Sequence, residues 1–133
     1  MAIRAFLSFE EEDLDLVNLF RGQAKKKSSD LEFDDYSIKV PFDSTNASYI
    51  KTCIRNQIKL VSMTICLVGV TTHESKWVNW ELNKTIELDK PIMGVYLYDD
   101  GSIKYCPSPL KDWPRVYWDI DEIVKTMKKL TGG

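Results

Sequence analysis

The chain predicts an α/β fold: a doubly wound parallel sheet of strand order 2-1-3-4-5 with helices on both faces. Three observations carry this. Apolar runs at Ile3 to Phe9, Ser62 to Val70 and Pro91 to Tyr98 have the length and continuity of strands buried on both faces. Stretches with apolar residues at helical spacing separate these runs. No repeat, linker or low-complexity segment breaks the alternation, so residues 1–133 read as one domain, long enough to bury a core without disulfides or metal.

Taken in order, Ile3 to Phe9 is interrupted only by Arg4 and reads as a buried strand. Glu10, Glu11, Glu12 and Asp13 then open a helix, where acids suit the positive end of the dipole. Leu14, Val17, Phe20 and Ala24 form its apolar stripe, and Lys25 to Lys27 suit its C-terminus. Leu31 to Tyr36 is a more polar strand, fit for a sheet edge. Ser44, Thr45, Asn46 and Ser48 offer N-caps to a helix bearing Ile50, Cys53, Ile54 and Ile58. Ser62 to Val70 is the most apolar run and belongs at the sheet centre. A helix from about Ser75 to Asp89 leads to the strand Pro91 to Tyr98. A Gly-containing turn at Asp99 to Gly101 follows, then a segment broken by Pro107 and Pro109. Arg115 to Trp118 is a short last strand, and Ile120 to Leu130 a closing amphipathic helix.

Charged residues are 29% and hydrophobic residues 44%, which sets disorder aside. Net charge is −2 with no basic stripe, which argues against a nucleic-acid partner. Cys53, Cys66 and Cys106 are odd in number, without CxxC spacing, and two fall in core elements, as for reduced intracellular thiols. The chain starts directly on a strand-like run, and no apolar stretch reaches membrane-spanning length. A cytoplasmic protein without membrane contact is the expectation.

Glu81 is the residue out of place. At about 100° per residue, Trp77, Val78, Leu82, Ile86 and Leu88 share one apolar arc, and Glu81 falls inside it between Trp77 and Val78. A carboxylate on the buried side of a helix costs desolvation energy unless something requires it there. Doubly wound sheets bind ligands at the carboxyl ends of their strands, where connections diverge to opposite faces. Ser8 and Phe9 close strand one, and Gly69 to Ser75 follow strand three into the Glu81 helix, so both segments converge on that crevice.

Each candidate also has a plain reading. Glu81 could be an acid paired with Lys84 or Arg115, or one favoured by the helix dipole. Trp77 reads first as packing against the sheet, His73 as a solvated loop residue, and Glu10 to Asp13 as a solvated helix start. Asp34 and Asp35 are turn acids or hold a ribose hydroxyl. Phe9 is core or stacks on a planar ring. The chain lacks GxGxxG, GxxxxGK[ST], metal-ligand spacing and a nucleophile elbow. Gly69 stands where a phospho-accepting receiver needs aspartate.

Phe6-Leu7-Ser8-Phe9, Phe33-Asp34-Asp35-Tyr36-Ser37, Leu67-Val68-Gly69, Thr72-x-x-Ser75-x-Trp77-Val78-x-x-Glu81 and Lys90-Pro91-Ile92-Met93-Gly94-Val95 occur in that order. Together they resemble the bacterial and archaeal TIR-like family, nearest the TIR-like proteins of Thoeris antiphage systems. The resemblance spans about residues 3 to 97. It implies a flavodoxin-like TIR fold and, in active members, cleavage of the nicotinamide–ribose bond of NAD+. Some members hydrolyse NAD+, whereas Thoeris members make a cyclic ADP-ribose isomer that activates a separate effector. The family's catalytic glutamate maps onto Glu81, and its pocket-lining strand-one loop onto Ser8 and Phe9. Asp35, Thr72 and Trp77 complete the expected substrate-binding set. NAD+ is then a substrate, with no metal and no other cofactor, and self-association through TIR-like contacts is expected. TIR-like scaffolds without catalysis share the fold, and a nucleoside deoxyribosyltransferase-like enzyme would also set a glutamate against a glycosidic bond.

One carboxylate suits this chemistry. Sugar hydrolysis requires an acid to protonate the leaving oxygen and a second carboxylate for the oxocarbenium ion. Nicotinamide leaves NAD+ as a neutral molecule, so no general acid is needed. The chain departs from the family at Glu10, Glu11 and Glu12, where members often carry less acidic residues. These acids should repel an anionic dinucleotide and keep the isolated protein nearly inactive until it assembles.

Overall fold

The computed structural model describes residues 2–36 and 40–132, so Ser37 of the second sequence block lies outside the described residues. Five parallel strands run in the order β2-β1-β3-β4-β5: β1 (Ile3–Ser8), β2 (Leu31–Asp34), β3 (Met63–Val68), β4 (Ile92–Tyr96) and β5 (Arg115–Tyr117). Four helices alternate with them: α1 (Leu14–Lys27), α2 (Ala47–Ile58), α3 (Lys76–Glu87) and α4 (Ile120–Thr131). This is the predicted flavodoxin-like, TIR-like topology.

Strand alternation sorts the core into two layers. Ile3, Ala5 and Leu7 of β1, with Met63, Ile65 and Leu67 of β3, face Val17, Phe20 and Ala24 of α1 and Ile123 and Met127 of α4. The intervening residues face α2 and α3: Phe6 packs with Ile50, Ile54 and Ile58, and Cys66 and Val68 with Val78 and Leu82. Every residue of β3 is buried, as a central parallel strand requires.

Element ends differ from the sequence reading in instructive ways. Strand β1 stops at Ser8, leaving Phe9 outside it. Glu11–Asp13 make a separate 3-10 turn before α1 instead of its first turn. The helix keeps the predicted phase, with Val17, Phe20 and Ala24 buried, but Leu14 at its first position is exposed and Leu16 packs on the core. Strand β2 ends at Asp34, and β3 at Val68 with Val70 exposed. Cys53 is only half-buried. Among the described residues no helix is long and apolar enough to cross a membrane.

Candidate active site

The site is built where β1 and β3 end beneath α3. Ser75 starts that helix: its side chain accepts the Val78 backbone N–H at 3.1 Å, the usual work of an N-cap serine. Helical spacing from this fixed start turns Val78, Glu81, Leu82 and Thr85 toward the sheet. Glu81 is 0% exposed. Ser8 ends β1 on the same sheet face, and its hydroxyl donates to Glu81 Oε1 at 2.6 Å. One turn on, Thr85 Oγ1 donates to the Glu81 carbonyl at 2.8 Å and lies 2.7 Å from Thr64 Oγ1 of β3. Glu81 is thus held by its side chain to β1 and steadied by a buried threonine pair against β3.

The cations the sequence offered as simple partners are engaged elsewhere. Lys84 Nζ bonds Glu87 at 3.2 Å, and Arg115 Nη1 donates to Cys106 Sγ at 3.3 Å. Cys66 sits beside Ser8 in the sheet register. Burial, then the charge of Glu81, pushes its thiol well above the ordinary range, so it stays neutral and inert.

The acids after β1 are less uniform than a solvated helix start. Glu11 and Glu12 are exposed, but Asp13 is only 7% exposed, and its Oδ2 has no hydrogen-bond partner among the described residues. A Cβ at Gly69 would stand 2.3 Å from that oxygen, so only glycine at the end of β3 admits Asp13 there. Burial and then the charge of Glu12 raise the Asp13 carboxyl above its usual range. Glu10 is raised first by burial and then by Glu12 and Asp13, against a lowering hydrogen bond from Thr71. The Thr71 hydroxyl donates to Glu12 and lies 3.5 Å from Glu10 Oε1, tying the loop after β3 to the loop after β1.

A raised folded-state pKa means that the folded protein binds more protons than the unfolded chain just above the ordinary carboxylate range. Stability therefore falls as pH rises through that window, and the Asp13 charge opposes folding at neutral pH. Asp13→Asn should stabilise the protein at pH 7 by about 1 kcal/mol. The gain should vanish below about pH 4, where the aspartate is neutral in both states. Thermal melts across pH check it; equal melting temperatures at pH 7 would contradict it.

The other expected contacts divide. Trp77 is half-buried, donates from Nε1 to the Val40 carbonyl at 2.8 Å, and meets Phe42 edge-on at 5.0 Å. Packing is its evident work. Thr72 is fully buried, and its hydroxyl accepts the Gly69 N–H at 2.7 Å, which shapes the loop. Phe9 is half-buried against the α1 layer. Asp34 pairs with Arg4 at 2.5 Å and Asp35 with Arg21 at 3.1 Å. Since α1 carries Arg21, Asp35 is held toward the sheet face opposite Glu81. His73 turns its ring to Tyr105, 5.2 Å between centroids, and lies 3.7 Å from Glu74. Sequence reasoning missed the burial of Asp13, though Gly69 was a usable signal: a glycine closing a buried strand marks a close approach. No group of three or more His, Cys, Asp or Glu side chains among the described residues is arranged to hold a metal ion.

Sheet order and helix placement are those of a TIR-like domain, with Glu81 buried on the sheet side of α3. The chain belongs to the Thoeris ThsB family: the model for "Thoeris protein ThsB, TIR-like domain" matches residues 6–102. A Bacillus cereus (strain MSX-D12) protein named "Putative cyclic ADP-D-ribose synthase ThsB1" is 31% identical over 101 residues, 73% of this chain and 53% of that protein. The chain thus spans about half the length of that relative. Among solved structures, the TIR domains of the activated Roq1 resistosome superpose with a TM-score of 0.51 at 16% identity, covering 98% of this chain and 82% of theirs. A 3-dehydroquinate dehydratase-like protein from Bifidobacterium longum gives 0.56 at 12% identity, covering 99% and 97%. At such identities these two structures share the fold alone.

Proposed function

We propose that this protein cleaves the nicotinamide–ribose bond of NAD+ and makes a cyclic ADP-ribose-type signal in antiphage defence. The observation that carries the reading is the fully buried Glu81 carboxylate, fixed by Ser8 at the carboxyl end of β1 in a ThsB-family chain. The name of the Bacillus cereus relative supports the same chemistry. Glu81 stabilises positive charge developing on the ribose as neutral nicotinamide leaves, a role needing a preorganised anion and no proton donor. If water is excluded until a nucleophile within the substrate attacks, the product is cyclic; an open site gives ADP-ribose. Incubating the purified protein with NAD+ and following nicotinamide release and product mass tests the reading. No nicotinamide at any protein concentration would favour a non-catalytic TIR-like module, and turnover of a deoxynucleoside a transferase.

Complete burial of Glu81 supports a gated form of this activity, because substrate reaches the carboxylate only after the crevice opens. Glu10, Glu12 and Asp13 at its mouth oppose an anionic dinucleotide. Turnover should therefore be low in dilute protein and rise on self-association or with a partner. Replacing Glu10, Glu11 and Glu12 with Gln should tighten NAD+ binding, most clearly at low ionic strength, where screening is weak. Titrations at two salt concentrations measure it, and identical affinities for both proteins in both salts would remove the electrostatic gate.

A further inference from the structure

A concavity of about 430 Å³ opens at the carboxyl ends of β4 and β5, lined by Tyr96, Tyr98, Tyr105, Tyr117, Lys104 and Arg115 among others. It is distinct from the Ser8–Glu81 pair, which lies across α3 over β1. Its construction follows from the sequence. Gly94 is paired with Arg115 in the β4–β5 register. A Cβ on Gly94 would lie 3.0 Å from Leu110 Cδ1 and 3.2 Å from Arg115 Cγ, so the missing side chain seats the arginine stem against the sheet. Arg115 and Tyr117 then share one strand face, and the Tyr117 ring stands 5.4 Å from that of Tyr96 at 41°. The rim is the turn at Asp100, whose carboxylate accepts the Ser102 N–H at 3.0 Å, with Gly101 at φ 83°. Tyr105 closes the side nearest the crevice by resting on His73.

Packing does not explain this cluster. Tyr105 is 67% and Tyr117 56% exposed, so their ring faces are largely wet, and a flat ligand would remove that apolar area from water. Lys104 and Arg115 outnumber the one lining acid, Asp99. The lining thus carries one more cation than acid, with Asp100 at the rim tied into its own turn by the Ser102 N–H, whereas Glu10, Glu12 and Asp13 crowd the other site. Aromatic faces beside a guanidinium and an ammonium match a planar ring carrying an anionic group. The volume suits a ligand of mononucleotide size.

We propose that this cavity binds a nucleoside monophosphate, its base stacked on the tyrosine rings and its phosphate held by Arg115 and Lys104. The site goes beyond the Glu81 chemistry and makes the protein responsive to a second nucleotide. AMP is the probe, titrated calorimetrically with the tyrosine ring signals followed by NMR. Arg115→Met keeps the stem on Gly94 and removes the charge; Tyr105→Ala and Tyr117→Ala each remove an exposed ring. Each variant should keep its melting temperature and bind AMP about tenfold more weakly, as should the wild type with adenosine, which lacks the phosphate. Glu81→Gln should bind AMP as the wild type does, which separates failure of this proposal from failure of the NAD+ reading. No AMP binding by folded protein, equal binding by the Arg115 and tyrosine variants, or loss of binding in Glu81→Gln would overturn it.

Discussion

Glu81→Gln should abolish NAD+ cleavage, lowering turnover by about a hundredfold or more, while the protein stays folded. The amide keeps the volume of the acid and still accepts the hydrogen bond that Ser8 makes to Oε1 at 2.6 Å. What disappears is the negative charge that would stabilise the ribosyl cation. Removing a charge from a position that is 0% exposed also relieves desolvation, so the melting temperature should hold or rise. Nicotinamide release and a thermal melt on the same preparation give both readouts. Near-wild-type turnover would remove Glu81 from the chemistry; loss of folding would make it a structural acid.

Trp77→Ala should be the most damaging single truncation near the site, with its damage falling on stability. The indole fills the angle between Phe42 and Trp80 and anchors the Val40 carbonyl through Nε1. A fully buried tryptophan costs about 3–5 kcal/mol on truncation. Trp77 is only half-buried, which lowers the packing loss, and the broken hydrogen bond adds to it, so about 3 kcal/mol is expected. That corresponds to a fall of roughly 10 °C in Tm for a domain of this size. Trp77→Phe, which keeps a ring and loses the N–H donor, should recover about half. Activity should track the folded fraction in both variants. A variant that melts like the wild type but fails to bind NAD+ would make Trp77 a ligand contact and overturn the packing role.

The sequence by itself determined the sheet. Length and continuity distinguish buried runs such as Met63–Val68 from helices, and the right-handed crossover rule leaves few ways to connect five strands. It also determined that Glu81 faces inward, because helical spacing depends only on local geometry once Ser75 fixes the start of α3. Element ends were less legible. The Glu11–Asp13 turn and the exposure of Leu14 depend on how the chain leaves β1, which no local preference specifies.

Only the tertiary structure decided what each polar group touches. Ser8 and Glu81 are 73 residues apart, and their hydrogen bond exists because the sheet register and the placement of α3 bring them together. Asp13 looked like one of four solvated acids until Gly69, at the end of another strand, left room for its carboxyl. Asp35 was a candidate ribose contact by sequence, but α1 lies close enough for Arg21 to hold it. Thr72, likewise, spends its hydroxyl on the Gly69 amide. The physical reason is common to all four. Burial and periodicity are properties of a segment, whereas a hydrogen bond, an ion pair or an unpartnered carboxyl is a property of two segments meeting within about 3 Å.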